Sequence, residues 1–336
     1  MSSARDPVAD LREIAYLLER TGAATPRVKA FRTAASVAES LGIEELTRRA
    51  ANGTLTQLAG IGDSTAGAIA DSIAGRRPAY LAKVEPDLPP DEPPSRMRRA
   101  LRGDLHMHSD WSDGGSPIEE MVRAARDLGH EYVALTDHSP RLTVARGLSP
   151  ERLREQLDVV RRLNEEMAPF RILTGIEVDI LEDGALDQED ELLGELDIVV
   201  ASVHSKLRMD RAPMTRRMVT AIANPHTDIL GHCTGRLLAG RGRPESEFDA
   251  EIVFEACRQF GVAVEINSRP ERLDPPRRLL RQAVESGCVF SIDTDAHAPG
   301  QLEWQRNGCE RAEECGVEPA RVINTLAVAD LLSRPR

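Results

Sequence analysis

Apolar and polar residues follow two different patterns along the chain, and the change falls near residue 100. In the first part, apolar residues recur at the three- and four-residue spacing of a helix face, beginning with Val8, Leu11, Ile14 and Leu18. Further helices are predicted over residues 27–41 and 43–51, and a last one is capped by Asp63 or Ser64 and ends near Gly75. Residues 1–84 are therefore predicted to form a small, all-helical domain.

In the second part, short apolar runs alternate with helical patterns. The strand-like runs cover residues 104–106, 132–136, 172–178, 197–203, 228–231, 262–267 and 289–293. The clearest helical patterns cover residues 150–167 and 245–260. Strands that alternate with helices form parallel sheets, and closure into a barrel is the natural arrangement at this length. Residues 101–336 are therefore predicted to form an α/β domain with a seven-stranded β/α barrel.

A proline-rich segment separates these two parts. Five prolines lie within residues 85–94, a composition that is incompatible with a helix or a central strand. Residues 85–100 are predicted to be a semi-rigid linker.

Candidate metal ligands follow six of the seven predicted strands. They are His106, His108, Asp113, His138, Glu177, His204, His232, Asp295 and His297. The carboxyl ends of parallel strands meet on one face of a barrel, so these nine side chains are predicted to lie together. Imidazole and carboxylate ligands in this number suit two to three divalent transition-metal ions, namely Zn, Mn or Fe. The two remaining histidines, His130 and His226, precede strands and are interpreted as structural.

Charge and cysteine usage indicate less about the function than these candidate ligands do. The net charge of −12 is uneven, because residues 1–102 hold 15 basic and 13 acidic residues and the remainder holds 28 and 42. An acidic domain repels nucleic acid, but bound divalent cations would offset that charge, so charge does not decide the substrate. The five cysteines form no CxxC pair, and no apolar run suits a membrane span or a secretory signal. A cytoplasmic location without membrane contact is expected.

The motifs around these ligands resemble those of the PHP (polymerase and histidinol phosphatase) superfamily over about residues 102–330. In order, the motifs read GDLHMHSDWSDG, LTDHS, GIE, SVHS, GHCTGR and DTDAH. The resemblance implies a distorted, TIM-like seven-stranded barrel and a trinuclear metal centre that hydrolyses phosphate esters through a metal-activated water. It also implies that the nine candidates are the ligands, with Glu177 bridging two ions and with Glu177, Asp295 and His297 at the catalytic centre. Asp137 and Asp293 are interpreted as groups that orient the ligands.

Polar side chains in the loops at the same rim are candidates for holding the phosphate of a substrate. They are Lys206, Arg236, Asn267 and Arg269. A guanidinium grips phosphate bidentately, whereas the alternative for each arginine is a merely solvated position.

The segment Leu-Ala-Gly-Ile-Gly-Asp in the helical domain resembles a helix-hairpin-helix motif, in which backbone N–H groups near Gly60 and Gly62 would meet a DNA phosphate. The alternative is an ordinary helix turn that contains glycine. The preceding segment, ERTGAATPRVKAFRTAA, resembles the start of bacterial family X DNA polymerases, which implies Arg27, Lys29 and Arg32 as DNA contacts. In those polymerases a nucleotidyltransferase core follows, and here only the linker stands in its place.

The leading hypothesis is a metal-dependent phosphoesterase that acts on DNA ends in DNA repair. Its reaction would be that of a 3′–5′ exonuclease, a 3′-phosphatase or an abasic-site endonuclease, and no polymerase activity is expected. The first alternative is a small-molecule phosphatase such as histidinol-phosphate phosphatase. The second is a DNA-binding adaptor with a structural metal site.

Overall fold

The computed structural model describes residues 5–89 and 92–334 and divides into two compact units. The first unit ends at Glu92 and the second begins at Pro93. No helix in these described ranges is long and apolar enough to span a bilayer.

The first unit is helical. Its helices are α1 (Pro7–Arg20), α2 (Thr25–Ala51), α3 (Asp63–Ile73) and α4 (Leu81–Val84), with 3₁₀ turns at Leu55–Gln57 and Glu85–Asp87. Asp6 caps α1 by accepting the N–H of Val8 at 2.9 Å. Gly42 breaks α2 with a φ of 76°, which agrees with the two helices predicted on either side of residue 42. Buried residues of all four helices form one core that includes Leu11, Ile14, Phe31, Leu46, Ile69 and Leu81.

Two details of this unit differ from the sequence prediction. The predicted cap at Asp63 or Ser64 is wrong, because α3 already begins at Asp63 and Gly62 is its N-cap. The N–H of Gly62 donates to Thr65 Oγ1 at 2.9 Å, which closes the first turn. The second difference is that α2 begins at Thr25, two residues before the predicted start at residue 27.

The predicted linker contains ordered structure. Pro86 fits the first turn of the 3₁₀ turn at Glu85–Asp87, where a missing N–H costs little, so the exclusion of helical turns from residues 85–94 was too strict. A further helix, α5 (Arg96–Ala100), belongs to the second unit. Its Met97 is fully buried in the barrel core, and the N–H of Met97 donates to Glu313 Oε1 at 2.7 Å.

The second unit is the predicted α/β barrel, which confirms the fold class. Its strands are β1 (Gly103–Met107), β2 (Tyr132–Leu135), β3 (Arg171–Asp179), β4 (Ile198–Ser202), β5 (Ile229–Leu230), β6 (Ala263–Asn267) and β7 (Phe290–Asp293). All sequential neighbours pair in parallel in the order β1 to β7. The strands are almost wholly buried, since helices cover the sheet, and this explains their continuous apolar runs.

Eight further helices belong to the barrel unit. They are α6 (Ile118–Asp127), α7 (Pro150–Met167), α8 (Asp190–Leu193), α9 (Arg211–Ile222), α10 (Ala250–Phe260), α11 (Arg277–Glu285), α12 (Gln305–Glu314) and α13 (Val328–Leu332). The prediction for α10 started five residues too early, because Asp249 is its N-cap and Ser246 donates its N–H to Thr234 in the preceding loop.

The barrel closes between β1 and β7 through side chains as well as backbone. A single parallel bridge joins Met107 to Ala296. The amide of Asn324 donates to the carbonyls of Gly103 and Ile292 at 3.2 and 3.1 Å and accepts the N–H of Ile292 at 2.9 Å. Gln305 donates to the same two carbonyls at 3.0 Å. These amides satisfy edge groups that a regular ladder between β1 and β7 would otherwise pair.

Candidate metal centre

The nine predicted ligands come together at the carboxyl ends of the strands. Their positions are His106 in β1, His108 and Asp113 after β1, His138 after β2, Glu177 in β3, His204 after β4, His232 after β5, and Asp295 and His297 after β7. Most of these side chains are buried, and Asp113 at the rim is the most exposed, with 38% of its side chain accessible. The structure therefore brings every predicted ligand to one site.

Glu177 lies at the centre of this cluster and is 1% exposed. Its Oε2 is 2.9 Å from His138 Nδ1 and 3.4 Å from His106 Nε2. Its Oε1 is 2.9 Å from His232 Nε2 and 3.2 Å from His204 Nε2. Each carboxylate oxygen of Glu177 therefore has imidazole nitrogens of its own beside it, and its predicted role as a bridging ligand stays a prediction.

Three groups of side chains within the cluster have the spacing of a cation site. In each group the ligand atoms all lie within 4.8 Å of one another. The groups are His108, Asp113, His138 and His297; His106, His108 and Asp295; and His138, Glu177 and His204. Because His108 and His138 belong to two groups each, the three groups overlap and form one continuous cluster.

The hydrogen bonding of the cluster also fits a metal. Buried polar atoms in proteins almost always have partners. Within the described part of the chain, buried ring nitrogens of five ligand histidines form no hydrogen bond, and Glu177 Oε2 forms none either. The five are His106, His108, His138, His204 and His232. Unpartnered ring nitrogens in a buried cluster with carboxylates are the donor set that a divalent cation would use.

Outer carboxylates orient two of the histidines, and the sequence did not reveal either of them. Glu265 of β6 places Oε1 at 2.6 Å from His106 Nδ1, and its other oxygen accepts the N–H of His232. Asp179 Oδ1 accepts the backbone N–H of His204 at 3.1 Å and lies 3.7 Å from the Nδ1 of its ring. Glu265 could have been recognised from the sequence, because it is a charged residue in the middle of a buried apolar strand. A carboxylate is rarely tolerated there unless it has a partner.

The two aspartates predicted to orient the ligands act on backbone instead. Asp137 accepts the N–H and Oγ–H of Ser109 at 2.9 and 2.6 Å, and so fixes the loop that carries Asp113. Asp293 accepts the N–H of Leu105 at 2.8 Å, at the closure of the barrel. Neither carboxylate hydrogen-bonds a ligand imidazole among the described contacts.

Electrostatics keep the central carboxylates charged. Burial raises the pKa of Glu177, but the charges of His204 and His106 outweigh it and lower the pKa well below its usual value. Burial also raises the pKa of Asp295, yet Arg269 leads the charges that lower it well below its usual value. Burial opposes protonation of His204, while Glu177 raises its pKa to about 9. Protons and cations therefore compete for these rings, so metal affinity falls as the pH is lowered.

Asp295 also has an unusual backbone conformation. Its φ of 52° lies in the left-handed region, which non-glycine residues seldom occupy and which aspartate tolerates better than most. Strain of this kind is typical of functional sites, because the surrounding structure must stabilise it.

A cavity of about 490 Å³ opens onto the cluster, and two arginines from the loop after β6 line it. Arg269 Nη1 is 3.5 Å from Asp295 Oδ1, and Arg272 Nε is 3.1 Å from Asp295 Oδ2. Arg269 was predicted as a phosphate contact and lies in the cavity. Arg272 was not predicted, although it follows Arg269 by three residues in the same loop.

The other three predicted substrate contacts do not line this cavity. Arg236 donates to the backbone carbonyls of Arg272 and Leu273, and so holds the arginine loop in place. Asn267 is buried and donates to Glu265 and Asp295 at 3.2 and 3.3 Å. Lys206 is exposed on the loop after β4. The side chains of Arg236 and Asn267 donate to backbone carbonyls and to buried carboxylates, respectively, so both have a structural role.

In the helical unit, Gly60 and Gly62 are exposed on either side of the buried Ile61. Gly60 has a φ of 89°, and a side chain there would come within 2.9 Å of Thr33 on α2. Lys29 lies four residues before Thr33, hence on the face of α2 that meets the hairpin.

The other two predicted DNA contacts are placed differently. Arg27 is exposed near the start of α2. Arg32 forms two hydrogen bonds of 2.8 Å with the buried Glu19, which gives its guanidinium a structural task.

Comparison with known proteins agrees with this arrangement. The PHP domain family matches residues 104–269. The chain is 43% identical over 231 residues to the DNA polymerase/3′-5′ exonuclease PolX of Bacillus subtilis (strain 168), covering 69% of this chain and 40% of that protein. It therefore spans less than half the length of that relative. It is 30% identical over 244 residues to a probable phosphatase of Edwardsiella ictaluri, covering 69% of this chain and 94% of that protein.

Among solved structures, the chain is similar to histidinol phosphate phosphatase from Lactococcus lactis in complex with zinc, L-histidinol and phosphate. The TM-score is 0.48 at 18% identity, covering 65% of this chain and 95% of that chain. The ligand cluster, the sequence relatives and the matched domain lead to one conclusion: the chain belongs to the PHP family.

Proposed function

We propose that this protein is a hydrolase of phosphate esters that uses two to three divalent transition-metal ions and acts on DNA ends. The observation that carries the hydrolase proposal is the ring of histidines around Glu177 with unpartnered nitrogens, beside two cavity arginines. Clustered cations and guanidinium groups suit a substrate whose negative charge grows during the reaction.

The residues of the centre have distinct tasks in this proposal. The nine ligands would hold divalent ions, which when bound supply Lewis-acid activation of water and of the phosphate. Arg269 and Arg272 bind phosphate oxygens, because their guanidinium groups face the cavity next to Asp295. Asp295 in turn orients both arginines. Glu265 holds the ring of His106 in one orientation.

Two observations support DNA ends as the substrate. The helical unit exposes a glycine hairpin with Lys29 on the adjoining helix face, and the first turn of α3, after Gly62, presents backbone N–H groups to a phosphate. One relative is named as a DNA polymerase and 3′-5′ exonuclease. Contacts of this kind bind duplex DNA without reading its sequence.

A small-molecule phosphatase is the second candidate, supported by the relatives named as probable phosphatases, of which the chain covers up to 94%. In that case the helical unit would have another function, and hydrolysis would not depend on the glycine hairpin at Gly60 and Gly62.

The experiment uses the full chain purified without chelator. Elemental analysis should find two to three transition-metal equivalents. Hydrolysis is then measured on duplex DNA with a 3′-phosphate, a recessed 3′-hydroxyl or an abasic site, and in parallel on histidinol phosphate. The DNA-end proposal expects the highest kcat/KM on one of the DNA substrates, with Arg272→Ala raising KM.

Asp295→Asn serves as the inactive reference for every substrate. Turnover of histidinol phosphate with none of DNA would overturn the DNA proposal and favour the second candidate. Turnover of neither by the metal-loaded wild type would overturn the hydrolase proposal for both substrate classes.

A further inference from the structure

The cavity above the metal cluster has two apolar walls in addition to its charged floor. Leu142 comes from the loop between β2 and α7, and Leu237 and Ala239 come from the loop between β5 and α10. Charged cavity residues lie on other loops, with Arg269 and Arg272 after β6. A pocket for phosphate alone would gain nothing from leucine side chains at its mouth.

The order of the strands places these apolar walls on opposite sides. In the ring of seven strands, β2 and β5 are three strands apart, so the loops that follow them face each other across the cavity. Leu142 and Leu237 therefore stand on opposing edges, and we call these two edges the apolar lips. The space between two opposed aliphatic surfaces suits a flat group better than a branched or heavily hydrated one.

Both lips continue to the surface as exposed aliphatic side chains. Val144, two residues after Leu142, is 91% exposed, and Leu238, next to Leu237, is 55% exposed. Large apolar residues with such exposure are few in the described chain, and two of them lie here. Each lip therefore has an exposed aliphatic neighbour in the sequence.

The second lip is held in position by backbone contacts. Leu237 and Arg243 pair as an antiparallel bridge, which makes residues 237–243 a short hairpin. The N–H of Leu238 donates to the carbonyl of Glu271 at 2.6 Å, which ties the hairpin to the loop of the arginines. The lip and the phosphate-binding arginines therefore keep a fixed spacing.

We propose that the apolar lips hold the planar base of the nucleoside whose phosphate ester is cleaved. This inference rests on the proposed phosphoesterase function and specifies the leaving group of its substrate. The metal ligands and the two arginines hold the phosphate, and the sugar spans from them to the lips. A cavity of about 490 Å³ has room for a nucleotide.

The chemistry of the lips favours a base over a polar sugar or an amino alcohol. The faces of a base are apolar and sequence-independent, so aliphatic contact on both sides tolerates all four bases. The edges of a base carry its polar groups, and these can remain in water at the open side of the cavity.

The test compares two ligands that differ only in the base. They are the 3′-methylenephosphonate of deoxythymidine and the same sugar phosphonate with hydrogen in place of the base. Phosphonates are not hydrolysed, so calorimetric titration of the metal-loaded full chain measures binding without turnover. The wild type should bind the base-bearing compound about tenfold more tightly, since burial of about 60 Å² of apolar surface corresponds to roughly that factor.

The double variant Leu142→Ala/Leu237→Ala should lose most of this preference while binding the base-free phosphonate as the wild type does. Ile252→Ala, which removes an exposed aliphatic side chain from α10, is the matched control and should keep the preference. Equal binding of the two compounds by the wild type, or a preference that survives in the double variant, would overturn the inference.

Turnover tests the proposed function separately. If the wild type hydrolyses neither the DNA substrates nor histidinol phosphate, the phosphoesterase proposal fails, and the phosphonate titrations still decide whether the lips recognise a base. Deoxythymidine 3′-phosphate and its base-free counterpart are the two esters that compare leaving groups. If both esters are cleaved with the same kcat/KM, the phosphoesterase proposal stands and the lips do not select the leaving group.

Discussion

In the barrel unit, nine side chains from six strands and their loops form one cluster in which five histidines contact Glu177. The candidate phosphate contact of the helical unit instead consists of backbone N–H groups beside Gly62. The first site is specific because each imidazole or carboxylate must be in place. The second is unspecific, since any helix N-terminus presents similar groups to an anion.

This difference determines how each region should respond to mutation. A metal ligand in a buried cluster cannot be replaced by water or by a neighbour without leaving a charge or a lone pair unsatisfied. A backbone contact at an exposed turn contributes little by itself, and a side chain can block it without disturbing the core. Large effects are thus expected in the barrel and small ones in the helical unit.

The largest effect is expected for Glu177→Gln. The substitution keeps the shape of the side chain but removes the charge that five histidines surround. Activity on the best phosphate ester should fall by about 100-fold or more, and the metal content should fall by at least one equivalent. Steady-state kinetics and elemental analysis of the same sample measure both.

His226→Gln is the matched control, because His226 lies before β5, away from the cluster. It should keep near-wild-type activity and metal content. A folded but inactive His226 variant, or a Glu177→Gln protein with full metal content and activity, would contradict the assignment of the site.

A smaller effect is expected for Glu265→Gln, which tests a residue that contacts ligands without being one. Glu265 accepts from His106 Nδ1 at 2.6 Å and from the backbone of His232. Loss of its charge should lower metal affinity or activity by about 10–100-fold, because the ring of His106 is no longer held in one orientation. Glu255→Gln on α10 removes an exposed carboxylate and is the control. Equal metal-binding isotherms for the two variants would show that Glu265 has no orienting role.

Sequence patterns predicted the barrel and its ligands well for a physical reason. Strands buried on both faces must be continuous apolar runs, so the third strand was predicted at residues 172–178 and is Arg171–Asp179. Ligands such as His138 and His204 follow such runs directly, and parallel strands bring their ends together. The local sequence and the global fold therefore place the ligands on the same face of the barrel.

Other features could not be predicted because they depend on contacts between distant parts of the chain. Arg236 and Arg269 look alike in sequence, yet Arg236 hydrogen-bonds two loop carbonyls and Arg269 faces the cavity. Arg32 was predicted as a DNA contact, and its pairing with the buried Glu19 joins residues 13 positions apart, which the sequence alone does not reveal. The opposed positions of Leu142 and Leu237 likewise follow only from the closed ring of strands.

A third prediction concerns acid stability at the opposite end of the barrel. His130 is 4% exposed and neither ring nitrogen has a hydrogen-bond partner in the described chain, so burial lowers its pKa from 6.5 to about 3. Below pH 6.5 the unfolded chain binds a proton at this histidine, whereas the folded protein binds it only below about pH 3. The free energy of unfolding therefore decreases as the pH is lowered from 6.5 to about 3. By about pH 5 this group alone should cost roughly 2 kcal/mol.

His130→Leu should remove that loss. The difference in unfolding free energy between about pH 7.5 and about pH 5 should shrink by roughly 2 kcal/mol in urea titrations. His130→Asn, which is polar but does not titrate in this range, should flatten the profile to the same extent. Unchanged acid sensitivity in both variants would mean that the histidine is charged in the folded protein. Activity at neutral pH should stay near that of the wild type.

The smallest effect is expected in the helical unit, for Gly62→Asp. Gly62 has a φ of −100°, which any residue adopts, and an added Cβ would meet nothing within 4 Å. Aspartate is a favoured N-cap, so α3 should remain folded, while its charge and bulk keep a DNA phosphate away from the helix N-terminus. Affinity for duplex DNA with a one-nucleotide gap should fall by about fivefold at low salt. Gly60→Val is unsuitable for this purpose, because its side chain would collide with Thr33 and destabilise the unit.

Two controls separate the causes of this effect. Gly67→Ala changes an exposed glycine within the same helix, where nothing lies within 4 Å of the added atom, and should bind DNA as the wild type does. Ser40→Asp adds the same charge on an exposed face of α2 and measures general repulsion. Salt titrations should give the wild type and the Gly67 variant the same steep dependence and Gly62→Asp a shallower one, since one phosphate contact is lost. If Gly62→Asp and Ser40→Asp weaken binding equally, the hairpin is not a phosphate contact and the helical unit binds DNA by charge alone.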